Sequence, residues 1–359
     1  LKILDRYIIK NFLGTFFFIM AIIMLIACIF DLSEKIDDFM EREAPIDKLI
    51  TEYYFNFILF YGSMFAPLLI FISVIYFTSR LAARTEIVAM LSGGVSFRRL
   101  LVPYYIAGTL LTAIALFLNH YYVPVANQGR IAFEEAYFKL TFQNYDQNIH
   151  KQITPDDFMY FERYNAPNDI GYKFALEHWK EGRLAFKLNS DYAEWDSTRQ
   201  VWKVFNVTKR WIDYDKERLE KVAQLDTFFG ILPSEFEKRL EYTTQMMNTV
   251  VLNEYIEKER ASGSEEVPFH LIEKHQRTSI PFASFVLVII GVSISSRKVR
   301  GGIGAHLALG LFIAVVYIFI IKVFSVYATN AGLSPFWACW IPNIMFSGLA
   351  LYLLRKAPK

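Results

Sequence analysis

Phe12-Leu-Gly-Thr-Phe-Phe-Phe-Ile-Met-Ala-Ile-Ile-Met-Leu-Ile-Ala-Cys-Ile-Phe30 runs from Phe12 to Phe30 without a single charge. A bilayer core about 30 Å thick takes roughly 20 apolar residues in a helix, so this stretch predicts a membrane span. Lys2, Arg6 and Lys10 precede it as they would in a signal peptide. The run is too long for one, however, and lacks a small-residue cleavage site, so it reads as a retained first helix.

Working outward, five further runs meet the same criterion: Tyr53 to Ser79, Leu101 to Tyr122, Ile280 to Ser296, Ala305 to Tyr327 and Pro335 to Leu354. The composition agrees, since 54% hydrophobic residues and 33 Phe in 359 are too apolar for an ordinary soluble protein. A net charge of +2 gives no reason to expect a nucleic-acid partner. Cys28 and Cys339 both fall inside apolar runs, where they read as small buried residues without a disulfide framework.

Lys and Arg accumulate on the cytoplasmic side of membrane proteins, and every connection here is consistent with one orientation. The N-terminus (Lys2, Arg6, Lys10), the second-to-third connection (Arg80, Arg84, Arg98, Arg99), the fourth-to-fifth (Arg297, Lys298, Arg300) and the tail (Arg355, Lys356, Lys359) belong inside. The first connection is acidic (Asp31, Glu34, Asp37, Asp38, Glu41, Glu43, Asp47, Glu52 against Lys35, Arg42, Lys48), and Ala328 to Ser334 is uncharged; both belong outside. The long segment from Val123 to about Thr278 is therefore outside too, in the periplasm if the cell is Gram-negative, with both termini cytoplasmic.

That segment opens with a helical stretch around Gly129 to Leu140 and then reads as strands. Phe158 to Arg163, Lys173 to Trp179, Arg183 to Leu188, Tyr192 to Trp195 and Val201 to Val207 are separated by turn residues such as Asn168-Asp-Ile-Gly171 and Glu181-Gly182. Beyond Pro233, Thr249 to Arg260 predicts a charged amphipathic helix and Phe269 to Gln276 a helix leading into the fourth span. The expected fold is a membrane α-helical protein of six spans with an inserted all-β domain, a sandwich or roll, on the outer side. Its expected divisions are residues 1–123, 124–267 and 268–359, with a short cytoplasmic helix near 82–92.

No catalytic signature is present: there is no phosphate-binding G-x-x-x-x-G-K-[ST] loop, no H-E-x-x-H and no G-x-S-x-G. His270 and His275 are five apart, well off a common helical face, so they predict a juxtamembrane helix and no metal site. Asn119 and His120, near the outer end of the third span, read as packing or interfacial residues.

The connection Arg80-Leu-Ala-Ala-Arg84-Thr-Glu86-Ile87-Val88-Ala-Met90-Leu91-Ser-Gly-Gly94-Val-Ser-Phe-Arg-Arg99 carries more information. Helix formers end at Ser92-Gly93-Gly94, where glycine permits the left-handed turn that stops a helix. The short helix is expected to expose Ile87, Val88, Met90 and Leu91 beside Glu86. Such a surface suits a groove on a partner, or else the helix lies in the interface and stabilises the turn.

Thr85-Glu86-Ile87-x-Ala89-Met90-x-x-x-Gly94-x-Ser96 resembles the cytoplasmic loop of the lipopolysaccharide-export permeases, the LptF/LptG family. Glu273-Lys-His-Gln-Arg277-x-x-x-Pro281 is similar to that family's approach to its fourth helix, and Gly332-Leu-Ser-Pro335 to its approach to the sixth. The likeness runs the whole chain and implies that the inserted periplasmic all-β domain is jellyroll-like. It implies a permease subunit of an ATP-driven exporter, with Arg84, Glu86, Ile87, Met90 and Leu91 coupling to a separate cytoplasmic ATPase dimer that binds the ATP and Mg. It also implies a second six-helix permease subunit, a single-span periplasmic jellyroll partner and a periplasmic bridge protein. No cofactor is expected on this chain.

A lipopolysaccharide presents phosphates at the outer headgroup level above its acyl chains, so its site is expected to be apolar and rimmed by cations. Lys35, Lys274, Arg277 and Lys322 are the headgroup candidates. Lys322 stands alone in an uncharged run and must snorkel, pair or meet a ligand. The family uses basic residues near the outer end of its first helix; here Asp31-Leu-Ser-Glu34-Lys35-Ile-Asp-Asp38 departs in register and is acidic.

The first and fifth helices line the lateral opening in that family. Phe16, Phe17, Met20 and Met24 are accordingly the candidates for acyl-chain contact, and Phe18 extends the same aromatic stretch. Gly304, Ala305, Ala308 and Gly310 allow close helix contact, between subunits or within one.

Three rival readings stand beside this one. A mechanotransmitting ABC membrane subunit moves no lipid and usually has four spans, and a membrane-anchored β-domain scaffold needs no ATPase. A secondary transporter requires midplane carboxylates, and no Asp or Glu lies within any of the six apolar runs.

Overall fold

The computed structural model describes residues 2–138, 147–213, 216–233, 236, 244–261, 264, 266–299 and 301–357. Six helices among them are long and apolar enough to cross a membrane: α1 (Ile3–Glu41), α2 (Ile46–Ala83), α4 (Phe97–Tyr137), α6 (Val267–Ser295), α7 (Gly302–Asn330) and α8 (Pro335–Lys356). Two shorter helices, α3 (Glu86–Ser92) and α5 (Thr249–Ala261), lie between them in sequence. With an inserted antiparallel β region, this is the membrane-helical fold that hydropathy predicts.

The helices outrun their apolar cores. α4 continues past Tyr122 through a π-helical turn, Leu118–Tyr122, and remains helical to Tyr137. Its last turns carry Phe133, which packs with Phe39, Tyr53, Phe57 and Phe138. Contacts therefore divide the chain into a helical unit, residues 1–138 and 244–359, and a β unit, residues 139–243. Residues 124–138 and the described residues of 244–267, which the sequence reading groups with the β domain, pack with the helices. An apolar ring such as Phe133 is buried better against other helices than in the polar text that follows it.

α6 is the centre of the helical unit: 67% of its apolar stretch is buried, against 17% for α1 and for α7. Close approach explains the difference. A Cβ on Gly291 of α6 would lie 2.8 Å from Val74 of α2, and one on Gly108 of α4 would lie 3.5 Å from Val288 of α6. Asn343 of α8 donates to the Ser279 carbonyl at 2.8 Å and accepts from Tyr317 of α7 at 2.8 Å, so a buried amide is satisfied on both sides.

Polar contacts group the connections at two ends of the unit. At one end, Arg99 forms a bidentate pair with Asp5 at 2.7 and 2.6 Å, and Arg297 bonds the Lys356 carbonyl. The four basic connections thus meet in pairs, as alternating spans require. At the other end, His120 bridges the hydroxyls of Thr249 at 2.8 Å and Thr278 at 3.2 Å, and Ser63 donates to Asn119 at 3.1 Å. Both Asn119 and His120 therefore serve packing.

The β unit contains β1 (Gln147–Gln152), β2 (Asp157–Asn165), β3 (Ile170–Tyr172), β4 (Ala175–Lys180), β5 (Arg183–Asn189), β6 (Tyr192–Asp196), β7 (Val201–Asp213) and β8 (Lys216–Thr227). All pairings are antiparallel, with β2 spanning β3 and β4, and β7 spanning β6 and β5. Trp202 and Val204 face inward by strict alternation, but the next inward residue is Val207. The phase slips at Asn206, whose φ of 54° bends the strand where its neighbour changes from β6 to β5. Phe161, Tyr164, Phe174, Trp202 and Phe236 form the centre of the β core. Among the described residues β1 pairs only with β2 and β8 only with β7, so these two are the sheet edges.

Candidate functional site

At the basic end of the helical unit, α2 stops at Ala83 and the chain turns through Thr85, a residue with φ of 60°. α3 then starts at Glu86, later than residue 82. Its end is a glycine cap: Gly94, with φ of 85°, bonds the Leu91 carbonyl at 3.0 Å, and Val95 bonds that of Met90 at 3.1 Å. Ser96 then caps α4 by accepting from the Arg99 amide.

The left-handed turn at Thr85 sets which face of α3 looks outward. Ile87 is 1% exposed and joins Ile8, Phe12, Leu81 and Ala82 in the core, with Met90 and Leu91 packed partly against it. The expected exposure of Ile87 is therefore corrected: a β-branched apolar side chain next to an open hydrophobic cluster goes in. The open face consists of Arg84, Val88, Ala89 and Ser92, with Glu86 half-buried at its margin. The Tyr7 hydroxyl donates to Glu86 at 3.1 Å, tying α1 to α3, a contact 79 residues apart that sequence periodicity carries no trace of.

At the opposite end, the four headgroup candidates separate sharply. Lys35 lies 2.7 Å from Asp31 and 3.6 Å from Glu134, donates to the Tyr53 hydroxyl at 2.6 Å and stands over the Phe138 ring. Glu134 also takes Arg130 at 2.6 Å, and Arg130 is braced by Asn127 and the Phe60 ring. Two acids and two bases cancel, so Lys35 contributes no net positive charge there. Arg277 is 6% exposed and spends its guanidinium on Glu273 and on the carbonyls of Met247 and Thr244 at 2.8 and 2.9 Å. It pins the returning chain to α6. Both residues are thus taken by partners of their own chain, because the acidic first connection and the bare carbonyls before α5 lie within reach.

Lys274 is half-buried and has no ion-pair partner among the described residues. Lys322 is exposed on α7, also without an acceptor among the described residues, in a shallow recess of about 320 Å³ with Phe319, Val323, Val326 and Tyr327. Of the acyl-chain candidates, Phe17 is 57% exposed, whereas Phe16 and Met24 are buried inside the unit. Met20 and Met24 bring their sulfurs within 3.8 Å of where a Cβ on Gly62 would stand, so their thioethers fill the gap that glycine leaves. Gly310 is likewise used internally, against Ile75 and Phe71 of α2, while Gly304 has nothing nearby.

α1 and α7 therefore turn long apolar faces outward, among them Phe17, Phe18, Leu25 and Ile29 on α1 and Phe312, Val315, Phe319 and Val326 on α7. On a membrane helix such faces meet lipid or another helix. The family model for the lipopolysaccharide export system permease LptF/LptG matches residues 6–356. No individual curated protein matches the chain.

Proposed function

Since the chain belongs to the LptF/LptG family of lipopolysaccharide export system permeases, a family of integral membrane transporter subunits, we propose that it is one permease subunit of an ATP-driven exporter. It extracts lipopolysaccharide from the outer leaflet of the inner membrane of a Gram-negative bacterium. The carrying observation is that a single family match spans all six helices and the β unit together. The exposed faces of α1 and α7 support pairing with a second six-helix permease across a cavity open to lipid. Lys322, at the edge of one such face, meets a headgroup phosphate, and Phe17 meets acyl chains.

The outward side of α3, with Arg84 and Val88 beside Glu86, docks on a cytoplasmic ATPase dimer that carries the ATP and Mg. Ile87 supports that surface from below. The β unit hands lipid to a single-span periplasmic jellyroll partner and on to a bridge protein. β1 and β8, the sheet edges among the described residues, offer the backbone donors and acceptors that strand addition uses.

The test is reconstitution of the full chain with its ATPase and second permease in vesicles containing lipopolysaccharide. ATP-dependent release to a periplasmic acceptor is expected. A chain that neither copurifies with an ATPase in mild detergent nor supports release is a scaffold instead.

A further inference from the structure

The histidine pair that the sequence brings forward is not a unit. His275 packs edge-on against Phe336, whereas His270 is 0% exposed and belongs to a different group. Neither His270 ring nitrogen has a hydrogen-bond partner among the described residues. Its ring is walled by Tyr255 at 5.1 Å and Phe269 at 5.9 Å. Buried imidazoles ordinarily satisfy at least one nitrogen, because leaving both dry forfeits the bonds they make in water.

Two carboxylates face this ring. The ligand atoms of Glu259, Glu266 and His270 all lie within 4.8 Å of one another. Glu266 and His270 are four apart at the start of α6 and so share a helical face, and Glu259 comes from the last turn of α5. Between them the Ser264 amide bonds the Glu259 carbonyl at 3.0 Å. We propose that Glu259, Glu266 and His270 form a divalent transition-metal site that staples the end of α5 to the start of α6.

The donor set chooses the class of metal. Hard cations such as Ca²⁺ and Mg²⁺ take all-oxygen shells, while one imidazole and two carboxylates suit a borderline ion such as Zn²⁺. Metal bonds of about 2.1 Å set tetrahedral ligands roughly 3.4 Å apart. The three side chains therefore close by at most about 1.4 Å, which carboxylate rotamers supply. A fourth position stays open to water, since Glu266 is exposed. The site stands on the surface contacts of α5 and α6 alone and is independent of the transport reading.

The test uses the full chain in detergent, stripped with a chelator and titrated with Zn²⁺ by calorimetry, with bound metal counted by mass spectrometry. One Zn²⁺ per chain is expected, together with a rise in the unfolding temperature. Glu266→Gln and Glu259→Gln are each expected to weaken binding at least tenfold and to remove that rise, and His270→Ala to abolish binding. Because His270 is buried and its replacement can misfold, the decisive variant is Glu266→Gln, at an exposed position. Wild-type chain that takes up no stoichiometric Zn²⁺, or glutamine variants that bind it as wild type does, overturns the site.

Discussion

Tyr7 donates its hydroxyl to Glu86 at 3.1 Å, so the first turns of the first membrane helix hold the first residue of α3. Two residues earlier, Asp5 is clasped by both terminal Arg99 nitrogens at the start of α4. α3 is thereby tied to α1 as well as to α2, whose end it follows in sequence.

Tyr7→Phe removes the donor and leaves the ring. It is expected to leave ATPase association intact while lowering lipopolysaccharide released per ATP hydrolysed by a few-fold in vesicles. Glu86→Lys, which reverses the charge at the margin of the docking face, is expected to lower ATPase association at least tenfold on pull-down. Unchanged association and release with Glu86→Lys would remove α3 from the coupling role.

Arg277→Gln leaves the carbonyls of Met247 and Thr244 without their buried donor. Loss of a buried charge-assisted network costs about 3 kcal/mol, read as a lowered unfolding temperature in detergent. Arg277→Lys is expected to rescue little, because an ammonium cannot reach both carbonyls and Glu273 in one planar fork. If Arg277 instead held a headgroup, stability would stay and lipid crosslinking would fall.

Lys322→Glu is expected to cut photocrosslinking of lipopolysaccharide to the assembled exporter several-fold, with thermal stability unchanged, because the side chain is exposed and has no acceptor among the described residues. Lys35→Met is expected to do the reverse, lowering stability by taking the cation from beside Asp31, while Glu134 keeps Arg130. Undiminished crosslinking in Lys322→Glu would mean that the amine merely snorkels to water.

Gly171→Ala would drive a Cβ into the Phe161 ring, which is fully buried and boxed in by Phe174, Trp202 and Phe236. Overpacking of this kind costs about 1–3 kcal/mol. The check is limited proteolysis: cleavage within residues 147–227 is expected to accelerate while the helical unit keeps its pattern.

Asp157, at the start of β2, is held below its ordinary value of 3.8 by the Thr154 hydroxyl at 2.6 Å and the His178 ring at 2.7 Å. A lowered carboxylate contributes stability above its ordinary value and loses it as acid titrates the folded form. Hydrogen-exchange protection across β2 and β4 is therefore expected to fall as pH drops below about 4, and Asp157→Asn to flatten that dependence.

Much of this was legible along the chain. The six spans, their alternation, the strands from Phe158 to Val207 and the short helix before Gly93-Gly94 all follow from local properties: transfer free energy summed over a window, side-chain period and the backbone freedom of glycine. The same reasoning breaks α4 in two, ending the span at Tyr122 and reading the helix around Gly129 as a separate one, where the helix is continuous to Tyr137. Polar residues such as Asn127 and Arg130 end a hydropathy run without ending a helix, and here the Arg130 guanidinium is satisfied by the Asn127 side-chain oxygen and by Glu134.

What each polar side chain is for was decided only by the packed molecule. Lys35, Arg277 and Lys322 look alike in a hydropathy plot, yet Lys35 lies between two carboxylates, Arg277 is closed over two carbonyls and Lys322 stands open. Ile87 looks exposed until the turn at Thr85 rolls it inward, and His270 points to Glu259 and Glu266 rather than to its sequence companion His275. The physical reason is range. Burial in a membrane adds up residue by residue along the chain, whereas a hydrogen bond or ion pair acts over a few ångströms between groups that only tertiary packing brings together.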